Sequence, residues 1–84
     1  MAGDDFTLSA PSIPSLRPYE ELPLRDSRRR ELFSFLAGAL ASPNEVAFEQ
    51  DATGLRWTWL DHVALNWKID LPNREIDVVN VWDR

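Results

Sequence analysis

The sequence predicts an α+β domain in which one or two N-terminal helices pack on a four-stranded antiparallel β-meander. Three observations predict it. Apolar residues recur at spacings of three and four between positions 26 and 41, and the period drops to two from Glu45 onward. The alternating stretches are separated by the short turn signals Asp51-Ala52-Thr53-Gly54, Asp61-His62 and Pro72-Asn73. A length of 84 residues limits this to one domain. Residues 1–14 read as a flexible or edge-strand segment and residues 15–84 as the α+β domain itself.

Taken in order, Pro11, Pro14, Pro18 and Pro23 forbid a long regular helix near the start. Met1 to Asp5 is expected to be disordered. Phe6 to Ser9 reads as a short edge strand, and Ser15 to Leu22 as one loose helical turn. The main helix spans 26–41, with Asp26 or Ser27 supplying the N-cap oxygen and Ser42-Pro43-Asn44 ending it. Leu32, Phe33, Leu36, Ala37 and Leu40 make its apolar stripe. Gly38 inside it costs about 1 kcal/mol relative to alanine, so a neighbouring backbone is expected to approach there.

In the second half, Val46, Phe48 and Gln50 alternate with Glu45, Ala47 and Glu49. Leu55, Trp57 and Trp59 share a face opposite Arg56, Thr58 and Leu60, and the same side that buries the tryptophans explains them. Val63, Leu65, Trp67 and Ile69 share the next apolar face, opposite Ala64, Asn66, Lys68 and Asp70, and Ile76 to Trp82 is the last strand. Short loops between successive strands favour antiparallel neighbours.

Composition narrows the chemistry. Four Trp, four Phe and one Tyr offset the small size, because each ring can bury a large area. With no cysteine and one histidine there is no disulfide, thiolate metal site or zinc cluster to build, and no cofactor is expected. No apolar run approaches the roughly 20 residues of a membrane helix. MAGDDFTLSA places acids where a signal peptide carries basic residues. The expectation is a soluble, cytoplasmic protein. The net charge of −5 speaks against a nucleic-acid binder. The strand-rich half, residues 45–84, is the acidic one, with Arg56, Lys68, Arg74 and Arg84 against eight acids.

Candidate functional residues each have a plain structural explanation. Arg28-Arg29-Arg30 opens the main helix, where cations oppose the macrodipole. The run is either a contact for phosphate or an acidic partner, or a solvated face paired with Glu20, Glu21, Asp26 and Glu31. Trp57, Trp59, Trp67 and Trp82 are core or cross-strand packing before they are a base-stacking platform, since stacking needs cations nearby and that strand offers only Arg56. An exposed tryptophan would point to a protein partner. His62 reads as a turn residue rather than a general base. Asp70, Glu75, Asp77 and Asp83 read as a solvated edge rather than a metal site.

Val63 to Asp70 reads Val-Ala-Leu-Asn-Trp-Lys-Ile-Asp, and after the turn come Ile76, Val78 and Val79, then Val81-Trp82-Asp83-Arg84. With Leu22-Pro23 before the Arg-rich helix, this layout resembles the RelE/ParE toxin superfamily, small bacterial and phage-borne proteins usually paired with an antitoxin. The family pattern is Tyr-Arg-apolar-any-aromatic-any-apolar-Asp, a turn, a β-branched strand and a Val-Gly-x-Arg ending. The resemblance implies a weak N-terminal strand, a helical hairpin and a strand meander. Members that cleave ribosome-bound mRNA use cationic groups on the sheet and a C-terminal Tyr or His beside the phosphate. Here the sheet arginine falls on Ala64, only Arg56 is charged among Leu55 to Trp59, and no aromatic residue follows Arg84. Members that target DNA gyrase do not depend on that site.

The leading expectation is therefore a toxin-like or toxin-derived regulator, non-enzymatic, that binds an antitoxin or a host target such as gyrase or the ribosome. Arg28, Arg29, Arg30, Arg56, Trp82 and Arg84 are its expected partner contacts. One alternative is a divergent mRNA endoribonuclease using Arg56, Lys68 and Arg84. The other is an acidic phage or bacterial adaptor that masks a basic surface through Asp70, Glu75, Asp77 and Asp83.

Overall fold

The computed structural model describes residues 5–84 and has an α+β architecture. The chain runs β1 (Thr7–Leu8), a 3-10 turn (Ala10–Ser12), α1 (Ile13–Glu20), α2 (Ser27–Ala41), β2 (Glu49–Gln50), β3 (Arg56–Trp59), β4 (Val63–Asp70) and β5 (Glu75–Asp83). The strands form one sheet in the order β1-β5-β4-β3-β2. Both helices lie on one face of it. The expected disorder of Met1 to Asp5 falls, Asp5 apart, outside the described residues.

The expected four-stranded antiparallel meander is corrected to a five-stranded mixed sheet. β2 to β5 are antiparallel neighbours, but β1 pairs in parallel with β5. The reason is connectivity: a strand separated from its neighbour by the whole chain can lie parallel to it, whereas a tight hairpin cannot. The segment before position 15 thus joins the packed body. Phe6 and Ser12 are buried, and the Phe6 N–H donates to the Leu40 carbonyl (2.7 Å) at the end of α2.

β1 is too short to pair with all of β5, and two serines continue its work. Ser12 Oγ accepts the Val78 N–H (2.7 Å) and donates to the Ile76 carbonyl (3.2 Å). That leaves Ser9 Oγ as the donor in the contact between the two hydroxyls (3.0 Å), since Ser12 has one proton to give. Ser15 Oγ adds a bond to the Val79 carbonyl (3.0 Å). Past β1, the outer edge of β5 from Ile76 to Val79 is closed by side chains instead of a strand, which shortens the template for edge pairing.

α1 is two turns rather than the single loose turn expected, with Pro14 in its first turn, where no N–H is needed, and Pro18 inside it. Asp26 caps α2 by accepting the Arg28 N–H (2.9 Å). The buried stripe of α2 is Leu32, Leu36 and Ala39, with Phe33, Phe35 and Leu40 at its margins. Ala37, assigned to the stripe from spacing, is exposed because the sheet lies one position further round the helix. Gly38 is also exposed, and no backbone of the described residues approaches it. Among those residues a Cβ there would meet only Val46 Cγ1 at 3.5 Å, an ordinary contact. Gly38→Ala is therefore expected to stabilise the domain by up to about 1 kcal/mol. A thermal melt should show it as a rise of about 4–8 °C.

Trp67 is the centre of the core. Fully buried, it meets Phe35 and Phe48 edge-on with ring centroids at 5.7 and 5.8 Å. Its indole N–H donates to Thr58 Oγ1 (3.0 Å), which donates in turn to the Ala47 carbonyl (2.8 Å). Leu16, Tyr19, Leu32, Leu36, Val63, Leu65, Ile76 and Val78 belong to the same core.

The face assignment of β3 is corrected by its register. Trp57 pairs with Asn66 and Trp59 with Ala64, so these tryptophans lie on the face opposite Trp67 and away from the helices. Thr58 and Arg56 turn inward. Only Thr58 on this strand can receive the buried indole proton. The Arg56 guanidinium stacks 4.0 Å from the Phe48 ring and 5.1 Å from that of Trp67.

Candidate functional site

The helix-free face of the sheet carries the least expected arrangement. Trp59, Ala64 and Trp82 form one register row across β3, β4 and β5; Trp57, Asn66 and Asn80 form the next, with Glu49 of β2 beside Trp57. The small side chain of Ala64, fully buried, leaves room for Trp59 and Trp82 to meet above it, centroids 5.5 Å apart at 78°. Trp57 stacks on Trp59 (6.2 Å, 18°) and meets Trp82 edge-on (5.9 Å). The result is a three-indole ridge on a face that no other described element covers. Trp59 stays 49% exposed within it.

The ridge is braced at both ends. Asp51 accepts the Trp57 indole N–H (3.0 Å), the Thr53 N–H and hydroxyl, and the Leu55 N–H. Those donors, the Thr53 hydroxyl first and the Trp57 indole next, hold its carboxyl down to about 2. At the other end the Arg84 guanidinium lies 5.7 Å from the Trp59 ring centroid and donates to the Leu60 carbonyl. The indole N–H groups of Trp59 and Trp82 make no hydrogen bond among the described residues.

Beyond the ridge the same face carries Lys68 opposite Asp77 and Asp70 opposite Glu75. With Glu49, Asp51 and Arg84 this makes five acids and two cations. A β-bulge between Asn66/Trp67 and β5 also leaves Val79 unpaired and exposed on β5.

The residues expected to make contacts are scattered. Arg28 is tied down: Nε and Nη2 hold the Asp26 carboxylate (3.0 and 2.8 Å), and Nη1 reaches Asp83 (2.9 Å). Asp83 also accepts the Tyr19 hydroxyl (2.6 Å). Burial, followed by that hydrogen bond, pushes the Tyr19 phenol up to about 12. The Tyr19 and Arg28 donors hold Asp83 below the usual carboxylate range, and Arg28 brings Asp26 down to about 2. Arg29 closes the α1–α2 loop by donating to the Glu20 and Leu22 carbonyls. Only Arg30 of the triplet makes no side-chain hydrogen bond or ion pair among the described residues.

Arg56 binds the Pro43 carbonyl (2.9 Å) and Asn44 Oδ1 (2.8 Å) on the helix side, and its burial lowers its pKa. Lys68 stands on the open face, and Arg84 lies at the far end of β4, five residues or about 17 Å away. Arg56, Lys68 and Arg84 are therefore not brought together around one phosphate. Of the four acids grouped by sequence, Asp70, Glu75 and Asp77 share the open face, while Asp83 turns to the helices. Among the described residues no group of three or more His, Cys, Asp or Glu is placed to hold a metal, and no helix is long and apolar enough to cross a membrane.

His62 occupies the two-residue β3–β4 turn and clasps Glu31 of α2. Its backbone N–H donates to Glu31 Oε1 (2.7 Å) and its Nδ1 meets Oε2. Glu31 raises the His62 pKa, and His62 lowers that of Glu31. A raised histidine contributes stability below its ordinary 6.5 and loses it as pH climbs through the folded value. A depressed glutamate contributes above its ordinary 4.5 and loses that as pH falls. The clasp is therefore expected to be tightest between these two values. His62→Ala should lower the melting temperature most at pH 5.5–6 and least above pH 8, and a constant offset across that range would contradict the pairing.

The tryptophan ridge was hidden from sequence reasoning because both faces of β3 alternate cleanly. The usable signal was Ala64 and Asn66 opposite a wholly apolar Val63-Leu65-Trp67 face: the indoles of β3 had to fall on one or the other. No protein-family model, curated protein or solved structure matches the chain.

Proposed function

We propose that this domain is a non-enzymatic binding module, a toxin-like or toxin-derived regulator, that engages a protein partner through the open face of its sheet. The observation that carries the reading is the ridge of Trp57, Trp59 and Trp82 on a face that none of the described elements covers. A half-exposed tryptophan braced by neighbours is the kind of group that dominates protein interfaces. The order of elements supports the same reading: an N-terminal strand, a helical hairpin and a closing meander are the layout the RelE/ParE resemblance implies. The partner would then be an antitoxin or a host target such as gyrase or the ribosome. The contact residues move with the geometry. Trp82 and Arg84 remain in the proposed surface with Trp57 and Trp59, whereas Arg28, Arg29 and Arg56 serve the fold.

The separation of Arg56, Lys68 and Arg84 disfavours the endoribonuclease alternative, whose phosphate needs converging cations. Five acids against two cations on the open face favour a protein over a nucleic-acid strand. The test is affinity capture from lysate of the source cell, comparing the unchanged chain with Trp59→Ala. The partner retained by the first is expected to bind the second about 30-fold more weakly, while Arg30→Ala leaves capture unchanged. Equal capture by Trp59→Ala, or mRNA cleavage on added ribosomes, would overturn the reading.

A further inference from the structure

The open face has a second property, which suggests what kind of segment it takes. Its acids, Glu49 beside Trp57 and Asp77 opposite Lys68, make no ion pair among the described residues. The three salt bridges found there, Arg28–Asp26, Arg28–Asp83 and His62–Glu31, all lie elsewhere. Glu49 thus stands beside Trp57, and Asp77 lies one row beyond the Trp57–Asn66–Asn80 row, across from Lys68. The molecule also shows what its rings accept. Guanidinium groups lie near the rings of Phe48, Trp67 and Phe6 and, on the open face itself, near that of Trp59, through Arg84. A planar cation can stack on an indole while its edge donors reach a carboxylate, and arginine does both where a compact ammonium does only the second.

We propose that the open face binds an arginine-bearing segment of a partner protein, one guanidinium stacking on Trp57 beside Glu49 and another reaching Asp77 one row further along the face. This rests on the binding-module reading above and names the chemistry of its partner. Charge complementarity points the same way, because the chain carries a net charge of −5 and this face holds five acids to two cations.

The experiment titrates the full isotope-labelled chain with three octapeptides, alternating Gly-Arg, Gly-Lys and Gly-Glu, and follows the indole N–H resonances. The Gly-Arg peptide is expected to shift those of Trp57 and Trp59 saturably and to bind about threefold tighter than Gly-Lys. The Gly-Glu peptide should shift neither. The double variant Glu49→Gln/Asp77→Asn should weaken Gly-Arg binding about fivefold, with the dispersion of the spectrum confirming that it still folds. Equal affinity for Gly-Arg and Gly-Lys, or shifts confined to the helices around Arg30, would overturn the proposal. So would tighter binding of oligo-dT, or a self-association in sedimentation that Trp59→Ala abolishes, since these name a nucleic acid or a second copy as the occupant. If capture of the partner needs Trp59 while Glu49→Gln/Asp77→Asn changes nothing, the inference fails and the binding-module reading stands.

Discussion

Trp67→Ala is expected to cost about 3–5 kcal/mol, the range for removing a buried aromatic and leaving its cavity. A domain of 84 residues has a total stability of roughly 4–13 kcal/mol at about 0.05–0.15 kcal/mol per residue, so the variant should be partly or wholly unfolded. Three losses combine. The indole's edge contacts to Phe35 and Phe48 disappear. The Arg56 guanidinium loses one of the two rings it lies against. Thr58 Oγ1 loses the proton it received. Helices and sheet meet at this ring, so the cavity cannot close without moving one layer relative to the other. Trp67→Phe keeps most of the volume and should retain the fold with a smaller loss. Circular-dichroism melts check both variants, and a drop of under about 4 °C for Trp67→Ala would show that the core is organised elsewhere.

The second large effect comes from a side chain with almost no apolar area. Ser12→Ala is expected to cost about 1–3 kcal/mol, because it leaves the buried Val78 N–H without an acceptor and the Ile76 carbonyl without the Ser12 hydroxyl. The bland view of a serine-to-alanine change predicts almost nothing, so urea denaturation separates the two. Amide exchange gives an independent readout. The Val78 amide should exchange much faster in the variant, whereas the Leu65 amide, on the central strand β4, should change only with global stability. Removing the hydroxyl also uncovers part of the β5 edge, and slow aggregation at high concentration is the expected companion.

These two positions differ in how well the sequence announced them. Trp67 sits in an alternating stretch whose apolar face, Val63-Leu65-Trp67-Ile69, was readable from spacing, and its place in the core follows. Ser12 lies in a proline-rich opening that reads as irregular. Its importance depends on β5 running alongside it 66 residues later. The turns were legible for a local reason: Asp51 organises its own turn through Thr53 and Leu55, Gly54 takes the φ of +91° that the turn requires, and Asp70 holds Asn73 (2.8 Å). The cap of α2 was legible in the same way.

The candidate site was only partly legible. An exposed tryptophan was expected to mark a partner surface, and Trp59 is one, yet Trp57 and Trp59 were placed on the buried side. Alternation says which residues share a face and not which face turns inward. Arg56 looked like a contact residue because charge usually seeks water. It is instead held over Phe48 and Trp67 with its donors on Pro43 and Asn44, a fate that depends on a loop arriving from twelve or thirteen residues away.

By itself, then, the sequence determined the α+β class, the extent and cap of α2, the tight turns, and the buried face of β4, all set by residues within a few positions of one another. Only the tertiary structure decided the parallel pairing of β1 with β5, the closing of the β5 edge by Ser12, and the side on which Trp57 and Trp59 emerge. Each of these depends on register between distant strands. A shift of one residue in the pairing of β3 with β4 would exchange the indole ridge for Arg56 and Thr58, and what holds that register is the fit of Thr58 to the Trp67 indole N–H and of Ala64 beneath the meeting of Trp59 and Trp82.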